Sequence, residues 1–163
     1  FSNHDLDRRY NAIVWGQPAT EGTINKPIGR SVINRKKMTI TNKGKLAITK
    51  WNILDIYIPF ATLIECKLET GRTHQIRVHL SDLGHSVVGD QTYGKSLLKK
   101  KVQNAFNKEK LELIKQFDRQ ALHAIKLSFE HPITNKYLNF ESPLPIDMKK
   151  LIRALKTEEP LEK

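Results

Sequence analysis

Cysteine is almost absent from this sequence, since Cys66 is the only one among 163 residues. A lone thiol cannot form a disulfide within the chain, which excludes a small disulfide-stapled scaffold. Cys66 falls in a stretch where apolar residues alternate, so we expect a buried thiol rather than a nucleophile. Because the chain has no internal disulfide, a reducing compartment is the default, and we predict a cytoplasmic protein.

Long apolar runs and metal-binding patterns are missing as well. No stretch approaches the ~20 apolar residues of a membrane-spanning helix, and no signal-peptide pattern is present, so we predict no membrane association. His74 and His79 are five residues apart, which on a helix turns their rings about 140° away from each other. No Cys-x-x-Cys or His-Glu-x-x-His pattern accompanies them, and we predict no metal site.

Acidic residues are scarce beside basic ones: 17 Asp and Glu face 28 Lys and Arg, for a net charge of +11. Such an excess favours a polyanionic partner such as nucleic acid, because binding releases counterions from the phosphate backbone. The alternative is a structural or interaction protein whose positive charge is incidental.

Basic residues concentrate between positions 30 and 45, in a segment punctuated by glycine. There we predict a hairpin in which Met38–Thr41 pairs with Leu46–Lys50 across a turn at 42–45. Three lysines in and beside this hairpin are candidate RNA contacts: Lys36, Lys37 and Lys43. The alternative for the same segment is a solvated loop.

Apolar periodicity indicates an α+β fold with a mixed, largely antiparallel sheet flanked by helices. Period-two alternation predicts strands at 10–15, 61–69, 121–130 and 137–140, and a short one within 85–93. Helical periodicity predicts helices after Arg72, over 108–117 and after Asp147, which we expect to be an N-cap.

A strand–turn–helix junction at 68–84 is the best candidate for a binding site. We expect Thr73 to cap the helix and Gly84 to end it. Apolar residues at i, i+4 and i+7 predict its buried stripe: Ile76, Leu80 and Leu83.

Two arginines of this junction predict an anion site. Arg77 lies off the buried stripe in the first helical turn, where free N–H groups and the helix dipole favour anions, and Arg72 lies in the turn before it. His74 and Gln75 are expected to fix the turn or to contact RNA. The alternative is a structural ion pair between the arginine and a nearby acid: Glu65, Glu69 or Asp90.

Several ordered motifs of this chain resemble the RluA-type family of ribosomal large-subunit pseudouridine synthases. The segments that carry the resemblance are LETGRTHQIRVHL at 68–80, GHSVVGDQTYG at 84–94 and FDRQALHAIKLSFEHPITNKYLNFESPLP at 117–145. Arg8-x-Tyr10-x-Ala12 resembles the family's tyrosine-bearing strand, and Gly44-Lys45-x-Ala47-x-Thr49 resembles its central hairpin. Together these matches cover roughly residues 6–153.

The resemblance implies an enzyme that isomerises uridine to pseudouridine in RNA without a cofactor. An aspartate attacks, the base detaches, rotates and rejoins through carbon 5, after the nucleotide has been flipped out of the RNA. By resemblance, Tyr10 stacks on the base and handles the carbon-5 proton, and Arg77 pairs with the catalytic aspartate. Ile76 is expected to pack against the site. The residues expected to contact RNA near it are Arg72, His74 and Gln75.

One family motif is missing from these residues. The nucleophile of the family lies in a His-Arg-Leu-Asp segment followed by Thr-Ser-Gly, and no such segment is present. Asp7 imitates it in His4-Asp5-Leu6-Asp7, but it stands only three residues before Tyr10, so we reject it. We therefore expect residues 1–156 to be the C-terminal portion of a pseudouridine synthase catalytic domain and 157–163 to be a flexible tail.

Residues 1–163 alone are accordingly expected to be inactive. The full-length protein is expected to be a bacterial, monomeric enzyme that acts on ribosomal RNA of the 23S type. The alternative is a catalytically dead RNA-binding module.

Overall fold

A computed structural model describes residues 6–58, 60–94 and 103–156. The predicted tail at 157–163 lies outside these ranges. The described elements are β1 (Asp7–Trp15), β2 (Glu21–Asn25), β3 (Ile28–Arg30), β4 (Met38–Ile40), β5 (Ile48–Tyr57), β6 (Ala61–Leu68), α1 (Gln75–Leu83), α2 (Lys108–Gln116), β7 (Leu122–Glu130), β8 (Tyr137–Glu141) and α3 (Ile146–Leu155).

Six strands form the main sheet in the order β2-β5-β6-β1-β7-β8, and every neighbouring pair is antiparallel. The short strands β3 and β4 pair in a separate two-stranded sheet. The predicted α+β class with a largely antiparallel sheet is confirmed. The predicted strands at 10–15 and 61–69 correspond to β1 and β6, which lie next to each other in the middle of the sheet.

The sheet has two faces of different character, and the register assigns residues to each. Tyr10 of β1 stands opposite Cys66 of β6, which stands opposite Trp51 of β5, so these three share a face. Thr49 lies on the same face two positions before Trp51, and it hydrogen-bonds to His79 of α1. We call this the α1 face, because α1 packs against it; the other is the opposite face.

The core forms where the central strands lie between helices. Ala12, Ile13 and Val14 of β1 are fully buried, as in a strand covered on both faces. Side chains of β6 alternate as predicted, with four buried ones on the α1 face: Thr62, Ile64, Cys66 and Leu68. The closing helix α3 buries Met148, Leu151 and Leu155, and Ile152 is half-buried against the same core.

The predicted hairpin of Met38–Thr41 with Leu46–Lys50 is wrong. Residues 38–40 pair instead with β3, and the strand that begins at Ile48 pairs with β2 and β6. Gly44 packs so closely on the backbone of Ile28 that a Cβ there would come 2.4 Å from its carbonyl carbon. The turn residues predicted that residues 46–50 pair with the segment just before them in the sequence. The strand that begins at Ile48 pairs with β6 instead, because this longer apolar strand offers it more buried area.

Two details of α1 also differ from the sequence-based expectation. The N-cap is His74, in a left-handed conformation with φ 56°, and not Thr73. Leu83 is 38 % exposed, so the prediction that it belongs to the buried stripe of the helix is wrong. The buried residues of the helix include two polar ones, Gln75 and His79, because each finds internal hydrogen-bond partners.

Two further expectations are corrected. Residues 85–93 do not form a strand: Val87 makes an isolated bridge to Val14, and turns follow. The N-cap of α3 is Pro145, and Asp147 lies inside the first turn, where it binds Arg119. A carboxylate in the first turn still complements the helix dipole.

Candidate active site around Arg77

A buried ion pair between Arg77 and Asp90 is the centre of the candidate site. Arg77 Nε donates to Asp90 Oδ2 at 2.8 Å, and Nη2 donates to Oδ1 at 2.9 Å. The side chains are 11 % and 1 % exposed. The structural pairing that the sequence left open is therefore realised with Asp90, and neither Glu65 nor Glu69 binds Arg77: they bind Arg9 and Lys50.

Asp90 is held by more than the arginine. Its Oδ1 also accepts from the backbone N–H groups of Thr92 and Tyr93, both at 3.0 Å. Burial raises the pKa of Asp90, but the hydrogen bonds from Arg77, Tyr93 and Thr92 and the attraction of the guanidinium outweigh burial, so the pKa lies below its ordinary value. The carboxylate is thus ionised and fixed in orientation.

The turn that carries Asp90 needs glycine before it. Gly89 has φ 79°, and a Cβ there would come 2.1 Å from the carbonyl oxygen of Arg119. Any side chain at this position would force the turn away from the chain that leads into β7. The Gly-Asp step of the motif at 84–94 therefore sets where the carboxylate meets Arg77.

Tyr93 covers one side of the guanidinium. Arg77 Cζ lies 5.0 Å from the centre of the Tyr93 ring, a cation–π distance. The Tyr93 hydroxyl accepts from the backbone N–H of Met38 and lies 2.7 Å from His74 Nδ1. Sequence reasoning did not single out Tyr93, although it lies in the motif at 84–94 that carries the resemblance.

Hydrogen-bonding capacity is left over on Arg77. Asp90 occupies Nε and one N–H of Nη2, and no described residue hydrogen-bonds to Nη1. Arginine has five N–H donors in a fixed fork, so a second acceptor can bind while Asp90 stays in place. The arrangement can hold a further carboxylate or a phosphate.

The turn before α1 is built around the side chain of Gln75, which is 2 % exposed. Its Oε1 accepts from Arg72 N at 2.9 Å and from Thr70 Oγ1 at 2.7 Å. Its Nε2 donates to Ile48 O and Thr49 Oγ1. A direct RNA contact by Gln75 was predicted. In the structure its side chain is buried, and its amide hydrogen-bonds to the turn and to β5.

The other predicted RNA contacts occupy different parts of the surface. Arg72 is half-buried and donates from Nε to Leu46 O at 2.8 Å, and His74 is half-buried beside Tyr93. Burial lowers the pKa of His74, as does the charge of Arg77, which favours the neutral ring. Lys36 and Lys43 are exposed and Lys37 is half-buried, in the loops on either side of β4. Their contacts with RNA stay predictions.

Tyr10 and Ile76 lie on the side of the sheet that α1 covers. Tyr10 is half-buried and packs against the main core, whereas Ile76 is only 4 % exposed and belongs to that core. Cys66, opposite Tyr10, is fully buried, and burial and the charge of Glu65 raise its pKa to about 12. The expectation of a buried, unreactive thiol is confirmed.

His79 is a buried histidine whose tautomer is fixed by its partners. Nε2 lies 2.9 Å from Lys26 O, a carbonyl that can only accept, so Nε2 carries the proton. Nδ1 then accepts from Thr49 Oγ1 at 2.8 Å. Burial lowers the pKa of His79, against the opposing effect of the Lys26 carbonyl.

We expect the free energy of unfolding to fall as pH drops below about 6.5, because the unfolded chain then binds a proton that folded His79 does not. One group contributes at most about 1.4 kcal/mol per pH unit. Urea unfolding at pH 7.5 and 5.5 measures the change, and His79→Gln should flatten it, whereas His123→Gln at the sheet surface should not. An unchanged pH dependence in His79→Gln would contradict this assignment.

Among residues 6–58, 60–94 and 103–156, no cluster of three His, Cys, Asp or Glu side chains could hold a metal ion. No helix in the described part of the chain is long and apolar enough to cross a membrane.

Comparison with known proteins gives a consistent result. The family model described as RNA pseudouridylate synthase matches residues 1–82. A protein of Zymomonas mobilis named ribosomal large subunit pseudouridine synthase D is 45 % identical over 157 residues, which cover 95 % of this chain and 47 % of that protein. An uncharacterised RNA pseudouridine synthase of Bacillus subtilis is 43 % identical over 155 residues, covering 94 % of this chain and 46 % of its own length.

A solved structure shares the fold. Human RNA pseudouridylate synthase domain containing 1 superposes with a TM-score of 0.68 at 24 % identity, covering 99 % of this chain and 70 % of the human one. The chain spans about half the length of the curated relatives it matches.

Proposed function

Because the chain belongs to the RluA-type RNA pseudouridylate synthase family, we propose that the whole protein isomerises uridine to pseudouridine in large-subunit ribosomal RNA. Residues 1–156 supply the C-terminal part of its catalytic domain. A monomeric state and a cytoplasmic location belong to the same proposal. The 23S type of RNA is supported by the names of the relatives and by the net charge of +11.

The observation that carries the proposal is the fixed guanidinium of Arg77. Asp90 and Tyr93 hold it from two sides and leave Nη1 without a partner among the described residues. A cation kept in place beside a carboxylate stabilises its ionised form, and only the ionised form is a nucleophile. The catalytic aspartate therefore binds Arg77 from the side that Asp90 leaves open, and it lies outside these residues.

The two predicted catalytic residues divide the work. The nucleophilic aspartate bonds to the target nucleotide as the glycosidic bond to nitrogen 1 breaks. The base rotates and rejoins through carbon 5, the bond to the aspartate breaks, and nitrogen 1 takes up a proton. The carbon-5 proton leaves to a base, and Tyr10 stacks on the ring and handles this transfer. Arg77 takes no proton. It orients the aspartate and keeps its carboxylate ionised.

Lysines of the β3–β4 region extend the RNA surface. Lys36, Lys37 and Lys43 lie in loops with few acidic neighbours in sequence, where they contact phosphates without reading bases. Arg72 and His74 lie closer to the site and contact RNA near the flipped nucleotide. Recognition follows the shape of the RNA and the flipped base, as is usual for structured RNA.

Tritium release tests the proposal. The full-length protein is expected to release tritium from large-subunit ribosomal RNA labelled with [5-³H]uridine, because carbon 5 exchanges its hydrogen for the new glycosidic bond. Residues 1–163 alone are expected to release none, because no carboxylate other than Asp90 binds Arg77 in the described ranges.

Absence of tritium release by the full-length protein, with RNA binding intact, would instead favour a catalytically dead RNA-binding module. Release by residues 1–163 alone would contradict the assignment of the nucleophile to another part of the protein.

A further inference from the structure

Charge is distributed unequally between the two faces of the sheet at the start of β1. On the opposite face, Arg9 binds both Asp7 at 3.1 Å and Glu65 at 3.0 Å. Lys126 also reaches Asp7, and Lys50 binds Glu69 at 2.7 Å. The acidic residues of β1 and β6 are therefore engaged on that face.

Arg8 points the other way, to the α1 face shared with Tyr10. Its guanidinium lies against the backbone of Gly71, since a Cβ on Gly71 would come 2.4 Å from Arg8 Nη1. No described residue forms an ion pair with Arg8, and its buried Nε has no hydrogen-bond partner. A buried donor without an acceptor is costly, and the described residues supply no acceptor to this arginine.

We propose that Arg8 binds a phosphodiester group of the RNA whose flipped base stacks on Tyr10. This inference rests on the proposed function. Arg8 and Tyr10 are two residues apart on one face of a strand, so their Cα atoms are separated by about 7 Å. The planar fork of arginine fits two phosphate oxygens at once.

A phosphate fits the site better than any carboxylate of the described residues does. The nearest acids in β1 and β6, Asp7 and Glu65, face away and are already paired. Asp90 is fully used by Arg77 and two backbone N–H groups. Arg8, which has no ion-pair partner among the described residues, belongs to a chain with net charge +11, and such a cation favours binding of a polyanion.

Arg8 and Arg9 form a matched pair for the test. Both Arg8→Gln and Arg9→Gln lower the net charge of the full-length enzyme by one, on opposite faces of β1. The dissociation constant for unmodified large-subunit rRNA, transcribed in vitro, is measured between 50 and 200 mM salt. We expect Arg8→Gln to weaken binding about tenfold and to reduce the slope of log K against log salt by roughly 0.7–0.9.

Arg9→Gln should leave that slope unchanged. Equal slopes for the two variants would overturn the proposal and favour pairing of Arg8 with a carboxylate of the protein. Tritium release by the wild-type enzyme tests the proposed function separately. The assignment of Arg8 to a phosphate can fail while the enzyme still releases tritium. The salt dependence of RNA binding can change in Arg8→Gln even if the enzyme does not isomerise uridine.

A readout on the wild-type enzyme covers the case in which Arg8→Gln does not fold. Phenylglyoxal modifies arginine side chains, and mass spectrometry locates the modified residues. We expect RNA to protect Arg8 while modification of Arg9 stays the same. Equal modification of Arg8 with and without RNA, or protection of Arg8 before RNA is added, would overturn the proposal.

Discussion

Replacing Arg77 with methionine in the full-length enzyme is expected to lower turnover by about 10²–10³-fold or more, with a much smaller loss of RNA affinity. Methionine fills a similar volume but supplies no charge and no N–H donor, so the incoming aspartate loses the cation that keeps it ionised. Tritium release under single-turnover conditions measures the chemical step, and filter binding measures affinity.

Two controls make this result specific. Arg72→Met removes a neighbouring arginine that donates to Leu46 O and has no carboxylate partner in the described part of the chain, so it should weaken RNA binding more than turnover. Arg77→Met with Asp90→Asn avoids leaving a charged carboxylate buried alone, and it should be as inactive as the single variant. Equal losses of turnover and affinity in Arg77→Met would mean that Arg77 only binds phosphate.

Replacing Asp90, the partner of Arg77, is expected to lower the free energy of unfolding more than replacing a carboxylate at the surface. Asp90→Ala leaves a guanidinium that is 11 % exposed without its carboxylate, and it also frees two backbone N–H groups. Breaking a buried ion pair from one side costs about 3–5 kcal/mol in free energy of unfolding. Urea unfolding of the full-length protein at pH 7 measures this difference.

Asp82→Ala is the matched control, because Asp82 pairs with Lys26 at the surface, where both side chains are more than a third exposed. That variant should change the free energy of unfolding by no more than about 1 kcal/mol. The Asp90 contribution should also depend on pH. Since folding lowers the pKa of Asp90, the stability is complete above its unfolded value of about 3.9 and is lost as the pH falls through the folded pKa.

A loss of stability in Asp90→Ala no larger than in Asp82→Ala would contradict the importance of the buried pair. A pH dependence retained below pH 4 in Asp90→Ala would assign that dependence to other carboxylates, such as Asp7, whose pKa is also lowered.

Much of the local structure was predictable because its signals are local. Alternation along β6 placed Thr62, Ile64 and Cys66 on the buried face, and the spacing of Met148, Leu151 and Leu155 placed α3. The failures came where a distant partner decided the outcome. Residues 38–40 pair with β3 rather than with Leu46–Lys50, and the N-cap is His74, whose ring meets Tyr93, rather than Thr73.

The sequence by itself determined the fold class, the basic character of the chain and the family, because these depend on periodicity, composition and motifs. It also placed Arg77 at the start of a helix beside a turn. Only the tertiary structure decided which of three acids binds Arg77 and that Tyr93 lies over the guanidinium. It also decided that Arg8 has no ion-pair partner among the described residues, whereas its neighbour Arg9 has two. The physical reason is that ion pairing and burial depend on contacts between residues far apart in the chain, which no local pattern specifies.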